Sequence, residues 1–264
     1  MPHSMLVATA NRRERTVSTQ VVCLDADNTL WDTDGVFAVA QLQLLADIAE
    51  ALAKTVVVPD HLSYVREVDQ ELASRHHLGL RYPPRLLIAA LCLRLDGSDP
   101  TTAARAAWGD PTAIPLSDDA VEAIESRFFS NLRDTPKLLP GVPEGLEKMH
   151  RAGATLVIVT EGGRQRVQNV LRANDIDQYI DRVIDAPKRK ELFVRLKRLF
   201  GPAVQVFMIG DQVTRDIIPA AAAGIQAIHV EGKFKPKWEI GAEAPVSHNV
   251  ATFDSAANTV LASA

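Results

Sequence analysis

Apolar strand-like runs alternating with amphipathic helices predict an α/β fold: a doubly wound parallel sheet carrying an inserted helical subdomain after its first strand. Three observations carry this expectation. Four short runs are apolar along most of their length rather than alternating with polar residues, as strands covered on both faces are. Helical patterns separate most of them, which calls for right-handed crossovers between parallel neighbours. About a hundred residues behind the first run hold helices and no convincing strand, far more than a βα connection needs.

The four runs are Val21–Leu24, Thr155–Val159, Val204–Ile209 and Ala227–Val230, with a weaker fifth at Arg182–Ile184. Each stops where polar residues or glycine begin. Helical periodicity covers roughly 143–152, 163–174, 189–199 and 216–223 between them. The long interval reads as helices over Val36–Lys54, Asp60–His76, Pro84–Leu95 and Ser117–Leu132. Prolines at 59, 83, 84, 100, 111 and 115 punctuate these helices, as residues of loops and first helical turns do. The expected organisation is an N-terminal tail over 1–19, a core of 20–33 and 136–264, and a helical cap over 34–135. Hinges are expected near Thr33 and Thr135–Pro136.

Composition narrows the function. The 264 residues are 47% apolar and 23% charged, which suits a globular enzyme rather than a disordered chain. A net charge of −4 argues against a nucleic-acid-binding surface, since proteins that track phosphate backbones carry a basic excess. No run is long and apolar enough for a membrane span. Arginines 12, 13 and 15 are not followed by an apolar stretch, so the start does not read as a secretory signal. Cys23 and Cys92 lie far apart without CxxC spacing; they read as core residues of a cytoplasmic protein, not as a disulfide.

The chemistry sits at the strand ends, where doubly wound folds place their ligands. After the first run comes Asp25-Ala26-Asp27-Asn28-Thr29. Residues two apart in extended chain share a face, so Asp25 and Asp27 project together. Two such carboxylates repel, and the site must hold a cation or keep one carboxyl protonated. One can attack phosphorus while the other hands over a proton. Taken alone, the segment reads equally well as an exposed turn.

After the second run, Thr160-Glu161-Gly162-Gly163 opens a helix carrying Arg164 and Arg166. A hydroxyl beside free backbone N–H groups suits a phosphate oxygen; an ordinary Ser/Thr turn would look the same. Lys188, or its competitor Lys190, stands where an ammonium would neutralise phosphoryl charge, though the Lys188-Arg189-Lys190 run also fits a solvated face. The third apolar run ends in Gly210-Asp211, with Asp216 following. Asp211 offers the hard oxygen that Mg²⁺ takes. Asp216 fits either a metal site or a helix N-cap ahead of Pro219.

In this order these residues resemble the haloacid dehalogenase superfamily, whose signature reads DxDx[TV], a Ser or Thr, a Lys, then GDxxxxD. The match runs over about residues 20–232, and the helical insertion is similar to the family's type 1 cap. The resemblance implies a Rossmann-like core, Mg²⁺, and an aspartyl phosphate formed on Asp25. It implies Asp27 as acid and base, and Thr160 and Lys188, with Glu161 and Gly162 beside them, as phosphoryl holders. It implies a metal held by Asp25, the backbone carbonyl of Asp27 and Asp211, with Asp216 close by. The dehalogenase branch lacks an aspartate at the place of Asp27, because halide leaves without a proton. Asp27 therefore points to a phosphohydrolase acting on a small phosphate ester. Asn28 and Glu161 depart from the commoner Gly and Asn.

Two alternatives stay open at this level: a phosphomutase of the same fold, and a catalytically silent binding protein. The substrate's remaining contacts are expected in the cap, where Arg75, His76, His77, Arg81 and Tyr82 cluster between two helices. Arg75 and Arg81 are the candidates for the non-phosphate portion.

Overall fold

The computed structural model describes residues 20–76, 82–242 and 248–263. Six parallel strands form one sheet in the order β3-β2-β1-β4-β5-β6. They are β1 (Gln20–Leu24), β2 (Thr155–Thr160), β3 (Arg182–Asp185), β4 (Gln205–Gly210), β5 (Gln226–Val230) and β6 (His248–Val250). The doubly wound expectation is met. Continuous apolar strands arise because the pleat sends alternate residues to two covered faces. Val22, Leu24, Leu156, Ile158, Phe207 and Ile209 meet one layer of helices. Val21, Cys23, Val157, Val159, Val206 and Met208 meet the other. Burial pushes the Cys23 thiol up to about 12, in keeping with an inert core residue.

Between β1 and β2 run α1 (Thr33–Ala51), α2 (His61–Arg75), α3 (Pro84–Leu95), α4 (Pro100–Gly109), α5 (Asp118–Asn131) and α6 (Val142–Arg151). The first five bury an apolar cluster of their own around Leu44, Ile48, Leu72, Leu87, Leu91 and Phe128. Four of the five starts are capped as side-chain chemistry dictates: Asp32, Asp60, Asp99 and Ser117 each accept a backbone N–H one turn on, while α3 starts on Pro84 without a side-chain cap. Where the chain enters and leaves this helical segment, the two strands of connection pair: Asp32 N donates to Lys137 O at 2.8 Å and Leu139 N to Leu30 O at 3.0 Å.

The rest of the chain supplies α7 (Arg164–Ala173), α8 (Lys190–Phe200), α9 (Ile218–Ala222) and α10 (Phe253–Ala262). The helix expected over 216–223 is split into a π-helical turn, Val213–Ile217, and the short α9. Asp216 lies inside that wide turn and is not an N-cap. The loop after β5 reaches the helical segment: Lys237 Nζ meets Glu71 of α2 at 2.7 Å, and Arg66 stacks on Phe234 at 4.3 Å. Among the described residues no helix is long and apolar enough to cross a membrane.

Candidate active site

The register brings the strand ends to one place. Leu24 lies beside Ile158 of β2 and Ile209 of β4, so Asp25, Thr160 and Asp211 emerge at the same edge of the sheet. A cavity of about 540 Å³ opens there between the sheet and α1, α3 and α5, and Asp25, Asp27, Thr160, Glu161, Gly162 and Lys188 all line it.

Asp25 is 5% exposed. Burial drives its carboxyl up to about 7, against the opposing pull of the Lys188 ammonium. Lys188 Nζ bonds both Asp25 and, at 2.6 Å, Asp216 Oδ1. Burial alone would lower this lysine, but the two carboxylates prevail and raise it, so it stays charged. Lys190 lies exposed at the start of α8, outside this cluster.

Ligand oxygens of Asp25, Asp211 and Asp216 lie within 4.8 Å of one another. Burial, then the charges of Asp25 and Asp216, push the Asp211 carboxyl well above its ordinary range. Three carboxylates against one ammonium is an excess of negative charge built from hard oxygen donors, and it fits a divalent cation. Asp216 has both oxygens engaged, one by Lys188 and the other by Gln212 N at 3.0 Å. Its packing is also why position 210 is glycine: a Cβ there would lie 2.4 Å from Asp216 Cγ.

The Asp27 side chain turns away from this carboxylate group. It accepts from Trp31 Nε1 at 3.0 Å, from Thr33 Oγ1, and from Arg166 Nη1 at 2.9 and 3.1 Å. Burial opposes its charge, but Arg166 and the hydrogen bonds from Thr33 and Trp31 prevail, and its carboxyl is held below the usual range. Asn28, next in the chain, has φ 60°, the left-handed region that Asn visits more readily than most non-glycine residues. Its side chain accepts from Asp34 N at 2.8 Å, joining this turn to the start of α1.

Thr160 forms the Ser/Thr turn that sequence allowed, its Oγ1 accepting from Gly162 N at 2.9 Å. That bond uses a lone pair of the oxygen and leaves the hydroxyl hydrogen able to donate. Gly162 has little room for a side chain, since a Cβ would lie 2.9 Å from Asp27 Oδ2. Glu161 is engaged otherwise than expected. It accepts from Lys188 N at 2.9 Å and from Arg215 Nη1 at 2.7 Å, so it braces the segment that carries the lysine.

Two expectations about the cap need correction or fall away. Arg75 is exposed, pairs with Glu71 one turn back at 2.9 Å, and does not line the cavity. A long cation at the end of a solvated helix finds its neighbour on the same face first. Arg81 and His77 lie outside the described residues. Among the described residues of that group Tyr82 alone lines the cavity, donating to Asp69. Arg166, Arg215, Phe37 and Gln41 also line it, and none of them is expected from the sequence as a substrate contact. Arg166 was legible as a cation in the first helical turn after Thr160; the others were visible only as ordinary helix residues.

The sequence profile of haloacid dehalogenase-like hydrolases matches residues 19–224. The chain belongs to this family of hydrolases. Its architecture is similar to the HAD-type hydrolase YfnB of Bacillus subtilis in magnesium-bound form, with TM-score 0.60, 16% identity, and coverage of 92% of this chain and 99% of that one. It is also similar to a phosphoglycolate phosphatase of Haemophilus somnus, with TM-score 0.55, 17% identity and coverage of 92% and 98%. A β-phosphoglucomutase of Thermotoga maritima gives TM-score 0.57, 20% identity and coverage of 92% and 99%. All three assignments are themselves inferential, and at these identities the likeness is one of fold. No curated protein sequence gives a significant match.

Proposed function

We propose that the chain is a phosphoric monoester hydrolase that forms an aspartyl phosphate on Asp25. The observation that carries this reading is Asp27: a second carboxylate two residues past the nucleophile, lining the same cavity. Carbon–halogen hydrolysis has no use for it, whereas an alkoxide leaving group needs a proton.

In this reading an Asp25 oxygen attacks phosphorus and the bond to the ester oxygen breaks. Asp27 protonates the departing alkoxide. Asp27 then takes a proton from water as that water attacks the phosphoaspartate, which frees phosphate and restores Asp25. Lys188, fixed between Asp25 and Asp216, and the Thr160 hydroxyl hold the phosphoryl oxygens. Asp25 and Asp211, with Asp216 beside them, would hold a divalent cation such as Mg²⁺, which neutralises charge on nucleophile and phosphoryl group when bound. Arg166 holds Asp27 as a carboxylate in the structure described here. The acid step therefore requires Arg166 to release Asp27, and the phosphoryl oxygens of an arriving ester offer it the alternative partner.

The test is a phosphate-release screen over metabolite and aryl phosphates with and without Mg²⁺, comparing wild type with Asp25→Asn. Mg²⁺-dependent release that disappears in the variant is expected. Turnover retained by Asp25→Asn would sink the nucleophile assignment, and no release from any ester would sink the hydrolase reading.

A further inference from the structure

Asp211 and Asp216 belong to one short segment, which must hold a fixed shape if both carboxylates are to meet Asp25. Asp216 is held at its own end by Lys188 and by Gln212 N. The middle of the segment is held by a residue from outside it. Thr214, second in the π-helical turn Val213–Ile217, donates its backbone N–H toward both Oε1 and Oε2 of Glu239, at 3.2 Å each. Its hydroxyl donates to Oε1 as well. The turn has no side-chain cap of its own. A carboxylate 25 residues further on takes that place, satisfying an N–H that the start of a helical turn leaves over.

Glu239 is 2% exposed. A carboxylate this far from water is costly unless strong donors meet it, and Thr214 supplies two. The short 3-10 helix that carries it, Lys237–Glu239, is itself fixed. Lys237 N donates to Oε1 of the buried Gln70 in α2 at 3.0 Å, and the Lys237 ammonium pairs with Glu71. Glu239 therefore reaches Thr214 from an anchored base. It does not line the cavity of the phosphoryl site. It lines a second one, of about 470 Å³, together with Asp211, Gln212 and Val213. Its influence on the site runs through the chain that carries the acidic residues, not through contact with substrate.

We propose that Glu239 is a positioning residue for the metal site: through Thr214 it fixes the turn that presents Asp211 and Asp216 to a divalent cation. This inference rests on the reading of Asp25, Asp211 and Asp216 as a Mg²⁺ site. Without the clamp the segment loses order that the cation must then impose, and the cost is taken from its affinity. In Glu239→Gln one oxygen becomes an NH₂ group. Whichever way that amide turns, a donor faces the Thr214 N–H across 3.2 Å. Thr214→Val removes the hydroxyl bond and leaves the charge of Glu239 in place, which separates positioning from charge.

Calorimetric titration of the full chain with Mg²⁺ tests this without turnover. The Kd should rise by about 10- to 100-fold in Glu239→Gln, as when other partners of metal-binding residues are lost. It should rise by about tenfold in Thr214→Val. Val260→Ala is the control for lost stability. Val260 is buried and its carbonyl accepts from Gln20, at the end of β1 remote from Asp25, so this variant should bind Mg²⁺ as wild type does. A Kd within about threefold of wild type in Glu239→Gln would overturn the inference, as would an equal weakening in Val260→Ala. So would wild-type affinity in Thr214→Val, since the charge of Glu239 would then account for its effect. Amide hydrogen exchange on wild type decides whether the clamp exists even if neither clamp variant folds. The Thr214 N–H should be protected at least about 100-fold, and exchange at the unprotected rate would overturn the inference. Wild type that binds no Mg²⁺ would remove the metal reading and this inference together, whereas Mg²⁺ binding indifferent to the clamp removes the inference alone.

Discussion

Gly210→Ala tests whether the packing of Asp216 sets the geometry of the site. The added methyl would lie 2.4 Å from Asp216 Cγ and 2.5 Å from its Cβ and Oδ2, on the order of 1 Å inside ordinary carbon contact. Asp216 has little freedom to yield. It is 1% exposed, bonded to Lys188 Nζ at 2.6 Å and to Gln212 N at 3.0 Å, and it sits in a π-helical turn whose backbone is itself hydrogen-bonded to Gln212. The overlap must therefore be relieved by shifting β4 or by drawing Asp216 off Lys188. Overpacking of a core costs about 1–3 kcal/mol, and weakening a buried ion pair adds to it, so a loss of about 2–4 kcal/mol is expected in urea unfolding. Displacing Lys188 from Asp25 by even part of an ångström should lower phosphate release by about 100-fold. Gly109→Ala is the control, since nothing lies within 4 Å of a Cβ there; it should be neutral or slightly stabilising. Wild-type stability and turnover in Gly210→Ala would refute the account of Asp216 as a clamped residue.

Three further outcomes follow from the same geometry. Arg166→Met removes the strongest influence holding the Asp27 carboxyl low, so the limb of the pH–rate profile that reports Asp27 should move to higher pH; an unmoved limb would show that Arg166 does not act on Asp27 during turnover. Arg75→Ala should change KM and kcat by less than about twofold, because Arg75 pairs only locally with Glu71, and a substrate-dependent KM effect would return that residue to the site. In metal-free buffer the Asp25 carboxyl, raised to about 7, keeps its proton where the unfolded chain has lost it. The stability this contributes is fully present below about pH 4 and is lost as pH rises through 7, at no more than about 1.4 kcal/mol for each step of one in pH. Urea midpoints across that window should fall for wild type and hold flatter for Asp25→Asn; parallel curves would refute the assignment.

Much of this was legible in the chain. Strands buried on both faces are apolar along most of their length, so β1, β2, β4 and β5 announce themselves. The chemistry-bearing residues follow directly behind them, because loops at the carboxyl ends of parallel strands are where such folds gather side chains. Elements held by small or few residues were not legible. Helix α4, PTTAARAAWG, packs through Ala103, Ala104 and Ala107, which give little contrast with their neighbours. Strand β6 is three mostly exposed residues at a sheet edge, and only pairing with β5 makes it a strand. The turn at 213–217 reads as ordinary helix because nothing local specifies a π turn; it forms where Asp216 must face both Gln212 N and Lys188.

The sequence by itself determined which residues could act: Asp25, Asp27, Thr160, Lys188, Asp211 and Asp216 are strand-end residues of the required types at the required spacing. The tertiary structure alone decided what each one touches. It put Lys188 rather than Lys190 between two carboxylates, gave Asp27 to Arg166, turned Glu161 into a brace, and took Arg75 off the cavity. It also set Gln41, an unremarked residue of a helix, in the wall of the cavity. The reason is physical. Covalent spacing and hydrophobic periodicity are properties of neighbours along the chain, whereas charge pairing and cavity walls join elements more than a hundred residues apart, and these come within reach only when the sheet's register and the packing of the helices bring them together.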